Sequence, residues 1–264
     1  MSRTRGTWNS KGMWAAGVVL AGVIGLTTYA VLDGDDDGAR GNGPAKPTAS
    51  ASASGPSAVP TITTPDDWTE PERWAALPRG SKTDSHGSQV GFPHTTEGAV
   101  AMMAAANNTD IEGTRSNQQE QRRIYDSYIS PEDQSSAVAE KIEAQARATD
   151  DQLRQTMGVG KSQPLPSGAY VRNTVIAYKV IKSQPDEVSV WLAASAAQKN
   201  GETEKESVNY LRLLMAARWV DGDWKLSANA TADVMGTKPA KPSFAPPGDP
   251  KFNSLGWTAI RSAS

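Results

Sequence analysis

The stretch RWVDGDWKL, residues 218–226, decides the fold. Its Asp221-Gly222 pair favours a two-residue type I′ turn, whose twist matches that of paired strands. Such a turn pairs Trp219 with Trp224 and Ala217 with Leu226. It also sets Arg218 opposite Lys225. A one-residue slip would send the tryptophans to the other face, so the apolar pairing fixes the register. Two like charges side by side weaken the hairpin slightly. They point to an acidic neighbour or a wet surface.

Upstream of the turn the sequence alternates. Leu211, Leu213, Met215, Ala217 and Trp219 share one face of a strand. Four strand-like runs cover about 169–182, 187–198, 206–220 and 223–229. SQPD, Asn200-Gly201 and Asp221-Gly222 separate them, and each is a turn signal. A two-residue turn at Asn200-Gly201 pairs Val190 with Leu211, Val188 with Leu213, and Trp191 with Tyr210. A three-residue loop from Ser183 to Pro185 adds Ile176, Tyr178 and Val180 to the apolar face. The opposite face carries Ser189, Arg212, Arg218 and Lys225, with Trp191 and Tyr210 as an aromatic pair. Arg212, Arg218, Lys225, Trp191 and Tyr210 are the candidate interaction surface.

Helices precede the strands. Thr95 or Thr96 caps a helix that Glu97 favours through its charge at the positive end. GAVAMMAAAN then presents a small, apolar surface suited to close packing. A second helix covers about Ser116 to Ile129. SPED, residues 130–133, opens a third, with Ser at the cap and Pro at the first helical position. It runs to about Met157 and stops at Gly158. Val138, Ile142, Ala146, Leu153 and Met157 keep helical spacing on it.

The amino terminus is of another kind. Met13 to Leu32 contains no charged residue. As a helix it would reach about 30 Å, the thickness of a bilayer core. Arg3, Arg5 and Lys11 precede it, and Asp33, Asp35, Asp36 and Asp37 follow. That asymmetry predicts a single-pass anchor in the cell membrane, with residues 1–12 cytoplasmic and the rest extracytoplasmic. A cleaved signal peptide is the rival, with Thr28-Tyr29-Ala30 as its cleavage site. Residues 33–65 are rich in Gly, Ala, Ser, Thr, Pro and Asp, and predict a flexible linker. Residues 66–94 form an extended approach segment, and 95–229 the α+β domain. Residues 230–264 are a Pro-rich tail whose Phe252, Leu255, Trp257 and Ile260 fold back on the domain or wait for a partner.

Several chemistries are absent or weak. The chain has no cysteine, so disulfides, thiolate catalysis and Cys-based metal sites do not arise. Its 27 basic and 29 acidic residues leave no cationic surplus for neutralising phosphates, so no direct nucleic-acid binding is expected. DGDDDG, residues 33–38, starts like a calcium loop but has Pro44 where the twelfth position needs Glu. His86 and His94 lie in a polar segment without an acidic cluster at ligand spacing. No metal or cofactor is expected.

The order of helices and strands, with the W-x-x-G-x-W-K-L hairpin of Trp219, Gly222, Trp224, Lys225 and Leu226, resembles the nuclear transport factor 2-like fold. That resemblance covers about residues 95–229. It implies helices packed on a curved four-stranded antiparallel sheet. Enzymes of this fold place acid–base groups at the mouth of the cone. Here Tyr178 is the main polar member of the inner face, and Tyr125, Asp126 and Tyr128 form the one compact acid/phenol cluster. A non-catalytic role is therefore expected. Stub, span, tether and cone together resemble the TcpC-like and VirB-type proteins of conjugation (type IV secretion) machines. That implies a membrane-anchored scaffold that contacts other membrane-complex proteins and associates with itself. A small-ligand-binding sensor domain is the alternative, and an acid–base enzyme a more distant one.

Overall fold

A computed structural model of the chain describes residues 68–261 and, as backbone alone, Thr28–Leu32. Three helices precede the long strands. Helix α1 (Thr96–Asn107) starts at Thr95, whose hydroxyl accepts from the Gly98 amide. Helix α2 (Asn117–Tyr128) opens with a full capping box between Ser116 and Gln119. Helix α3 spans Ser136–Thr156 and is capped by Ser135.

The SPED signal produces only a 3-10 turn, Pro131–Asp133, and the chain is extended again at Gln134. The expected single helix is thus broken. Local hydrogen bonds hold the break: Gln134 donates to the Tyr125 and Ile129 carbonyls, and the Ser135 amide donates to the Tyr125 hydroxyl. At its far end α3 stops as expected, with Gly158 at positive φ.

The strands, numbered in chain order, are β1 (Thr28–Leu32), β2 (Trp74–Ala76), β3 (Lys82–Thr83), β4 (Gln89–Val90), β5 (Thr109–Glu112), β6 (Ala169–Gln184), β7 (Glu187–Asn200), β8 (Ser207–Val220), β9 (Asp223–Leu226) and β10 (Thr258–Arg261). Two short helices, α4 (Ala228–Gly236) and α5 (Lys251–Ser254), lie between β9 and β10. One eight-stranded sheet runs β1-β8-β7-β6-β10-β2, with β5 added to β6 and β9 to β8. Strands β3 and β4 form a separate ribbon.

This corrects the four-stranded antiparallel sheet of a nuclear transport factor 2-like cone. The sheet is larger and mixed, because β10 runs parallel to β2. Both of its faces are covered. On the inner face lies the short α1, not the long helix. Ala99, Val100, Met102 and Met103 of α1 are fully buried against Val190, Leu192, Leu213 and Met215. Small side chains permit that approach, and at Gly98 a Cβ would stand 1.9 Å from the Pro93 carbonyl oxygen. Helix α3 packs on α2 instead, and buries Ile142, Ala146 and Leu153.

The outer face is covered by the tail. Phe252, Trp257 and Ala259 form a second core with Trp191, Ala193, Leu214 and Val234. Burying each large apolar side chain here contributes about 1.5–3 kcal/mol. The Trp257 indole also donates to the Ser243 carbonyl at 2.9 Å. Of the two fates open to the tail, residues 244–261 take the first and fold back.

The β8–β9 register is as expected: Trp219 faces Trp224, Ala217 faces Leu226 and Arg218 faces Lys225. Asp221 and Gly222 have φ of 52° and 81°, as a type I′ turn requires. The β7–β8 register differs. Val190 faces Met215 and Val188 faces Ala217, because an eight-residue loop from Lys199 to Glu206 replaces the two-residue turn. The slip is by four residues. An even slip preserves the face, so Leu211, Leu213, Met215 and Ala217 still point inward. Between β6 and β7 the register shifts twice, which puts Val175 rather than Ile176 in the core.

The expected span Met13–Leu32 lies, through residue 27, outside the described residues. Its last five residues are β1, paired antiparallel with Leu211–Met215 of β8. They correct the expectation of a helix running to Leu32. An apolar run rich in β-branched and aromatic residues, as TYAVL is, serves a strand as well as a helix. Among the described residues, no helix is long and apolar enough to cross a membrane. The linker through residue 65 also lies outside the described residues.

Candidate functional site

Two tight turns and one 3-10 turn meet at one end of the sheet and enclose a groove of about 710 Å³. The β6–β7 turn supplies Gln184, Pro185, Asp186 and Glu187. The β8–β9 hairpin supplies Arg218 through Asp221. The segment after α2 supplies Ser130, Pro131 and Glu132. Each piece has a local cause. Pro185-Asp186 and Asp221-Gly222 reverse the chain tightly, and Ser130 is pinned when its amide donates to the Leu226 carbonyl at 2.9 Å.

Trp219 forms the aromatic part of the groove. It is half-buried, while its cross-strand partner Trp224 is fully buried and donates from its indole to the Pro93 carbonyl at 2.9 Å. The two indoles meet edge-on, with centroids 5.4 Å apart. His94 stacks on Trp219, and its Nε2 lies 2.9 Å from Asp186 Oδ1. Asp186 also accepts the Trp219 amide on its backbone carbonyl at 2.9 Å. His94 therefore ties the approach segment to both turns.

Arg218 is the charged centre. Its Nε lies 3.1 Å from Glu187, and its Nη groups lie 3.6 Å from Glu132 and from Asp233. Lys182 donates to the other oxygen of Glu187 at 2.9 Å. The Lys182 hydrogen bond, joined by that of Arg218, holds the Glu187 carboxyl below its ordinary range against the opposing effect of burial. The groove lining carries four carboxylates, Glu132, Asp186, Glu187 and Asp221, against one cation, Arg218. Its field is negative.

The five candidate surface residues go to different places. Arg218 lines the groove. Lys225 sits beside it on the hairpin and is half-buried, donating to the Ser127 carbonyl at 2.7 Å and to Asp223 at 3.3 Å. The acidic neighbour that the Arg218–Lys225 pair called for is thus present on both sides. Tyr210 is half-buried against Phe244 and faces Ser195, not Trp191. Trp191 and Arg212 are buried, at 3% and 4% exposure, so neither is surface. The tail covers Trp191, and Arg212 donates to the Pro242 carbonyl at 2.7 Å.

Sequence reasoning missed Glu132, Asp186, Glu187 and His94. The usable signal was the hairpin itself, since a residue pair of like charge needs counter-ions from elsewhere. Chemically the groove pairs its charges with one another. His94 faces the Asp186 carboxylate and two indoles. Tyr125, of the acid/phenol cluster, donates to the Ser135 carbonyl, and Asp126 is paired with Arg122. Among the described residues, no group of three or more His, Asp or Glu is placed to hold a metal ion.

The family model described as Domain of unknown function (DUF8175) matches residues 35–243, and the chain belongs to that family. That stretch includes every residue of the groove and leaves out β1, α5 and β10. No curated protein matches the chain, and no solved structure does.

Proposed function

We propose that this member of the DUF8175 family is a non-catalytic assembly module. It works on the extracytoplasmic side of a membrane and receives a basic segment of a partner protein in the Trp219 groove. One observation carries the reading: a half-buried tryptophan lies in an open groove whose lining has four carboxylates and one arginine. Aromatic and cationic groups of a partner find matching chemistry there, through stacking on the indole and pairing with the rim.

The location rests on the sequence alone. Arg3, Arg5 and Lys11 precede the uncharged residues 13–27, a basic-then-apolar order that suits export whether or not the segment is retained, and that does not depend on the residues β1 takes. A membrane complex, of which a conjugation channel is one kind, is the setting that the sequence resemblance suggests. The filled inner face speaks against a ligand held in the core, since α1 occupies the space a sensor would need.

Co-purification from membranes tests the reading. Full chain and a Glu132→Lys/Asp221→Lys variant are isolated side by side. The partner is retained by the first and lost by the second, and rising salt releases it from the first. Equal retention by both would remove the groove from the account.

A further inference from the structure

The chain itself carries a segment with the chemistry that the Trp219 groove calls for. Residues 238–242 read Lys-Pro-Ala-Lys-Pro, and the tetrapeptide Pro-Ala-Lys-Pro also stands at 44–47. We propose that the groove of one copy receives the Lys238–Pro242 segment of a second copy, so that the chain associates with itself. This rests on the reading of the groove as a site for basic segments, and it names the segment.

The ligand half is fixed and exposed. Residues 238–242 form neither helix nor strand, and both ends are held. The Lys238 amide donates to the Met235 carbonyl at 2.9 Å, and the Pro242 carbonyl accepts from Arg212 at 2.7 Å. Pro239 and Pro242 fix φ at about −65°, and Pro242 keeps Lys241 out of the helical region. Such a segment loses little conformational entropy when it binds. Lys238 and Lys241 are exposed and form no ion pair among the described residues. Neither ammonium therefore meets its own chain's groove, and both are left for a second chain.

The groove half is complementary. Glu132, Asp186, Glu187 and Asp221 of the lining, with Asp233 beside Arg218, face two cations, Arg218 and Lys182. A negative surplus remains after these pairs form, and a charge on His94 would not cancel it. Asp221 is exposed and has no cation of its own among the described residues. Pro131, Pro185 and the half-buried Trp219 supply flat apolar surface for proline rings, as grooves that take extended proline segments do. Lysine adds attraction to the indole face and to the carboxylates. The family match at 35–243 contains the groove and both Pro-Ala-Lys-Pro segments. Each copy offers one groove and one tail, so a reciprocal contact closes a two-fold dimer.

Sedimentation equilibrium of the purified full chain tests this with three variants, each checked for folding by circular dichroism. The parent's mass is expected to rise above one chain with concentration and to fall back with added salt. Lys238→Glu/Lys241→Glu and Glu132→Lys/Asp221→Lys are each expected to stay at the mass of one chain. Mixed in equal amounts they associate, because the basic tail of the groove variant meets the acidic groove of the tail variant. Lys46→Glu, in the other copy of the motif, associates as the parent does. The proposal is overturned if the parent stays at one chain's mass up to about 1 mM, if the tail variant associates as the parent does, if the mixture does not associate, or if Lys46→Glu abolishes association. A parent that stays single, or a tail variant that still associates while the groove variant does not, leaves the groove as a site for some other basic segment. Association lost by the tail variant and kept by the groove variant removes the groove as well.

Discussion

The imidazole of His94 lies flat on the indole of Trp219, with ring centroids 4.0 Å apart and planes 11° from parallel. The same imidazole meets Trp224 edge-on at 5.6 Å. One ring thus bridges an indole that is wholly core and one that opens to the groove. The two tryptophans, paired across one hairpin, have different work. Trp224→Ala is expected to cost about 3–5 kcal/mol, the loss of a filled core site. Trp219→Ala is expected to cost less, on the order of 1–2 kcal/mol, since part of its surface already meets water. Urea denaturation of both variants measures the difference. Equal losses would contradict the division.

Gly98 is expected to be irreplaceable by alanine. The added Cβ would meet a backbone carbonyl, which cannot rotate away as a side chain can. Overpacking of this kind costs about 1–3 kcal/mol. Thermal unfolding of Gly98→Ala tests it, and a melting temperature equal to the parent's would show that α1 can shift outward freely.

The tail is expected to be structural. Trp257→Ala removes a side chain that is 1% exposed and uncovers Trp191 and Leu214. The expected loss is about 3–5 kcal/mol, with a red shift in tryptophan emission as Trp191 meets water. Unchanged stability and emission would mean that the tail is not needed to seal the sheet.

Glu187 links the groove to pH. Lys182 and Arg218 hold its folded-state carboxyl below the ordinary value. A carboxyl lowered on folding adds stability above its ordinary value, and that stability is lost as pH falls through the lowered one. The parent is therefore expected to lose its advantage over Glu187→Gln below about pH 4.5. Unfolding midpoints measured from pH 7 to pH 3 show whether the two curves converge. A constant gap across that range would put the effect in packing rather than charge.

How much of this was legible depends on the range of the interaction involved. The β8–β9 hairpin was readable because its turn and its apolar face are local and agree. Asn200-Gly201 looked like a similar turn, yet Gly201 is not at positive φ and Asn200 still belongs to β7. Alternation could not expose the error, because a slip of four leaves every side chain on its face. Strands β10 and β2 were not legible at all. Their pairing is parallel and joins residues far apart in sequence, so no turn announces it. The same holds for the outer face. Trp191 and Arg212 point away from the inner core as expected, and only the distant tail decides that they are buried. The groove has this origin too: Arg218 was readable from the hairpin, whereas Glu132, Glu187 and Asp186 arrive from other turns.

Site-specific photo-crosslinking in intact cells tests the central claim most directly. A photoreactive residue is placed in the full chain at Pro185 or Asp221, on the groove, and at Lys141, an exposed position of α3. The account predicts a discrete heavier adduct, containing a second protein, from Pro185 and Asp221 and none from Lys141. No adduct at either groove position, or the same adduct from Lys141, would contradict it.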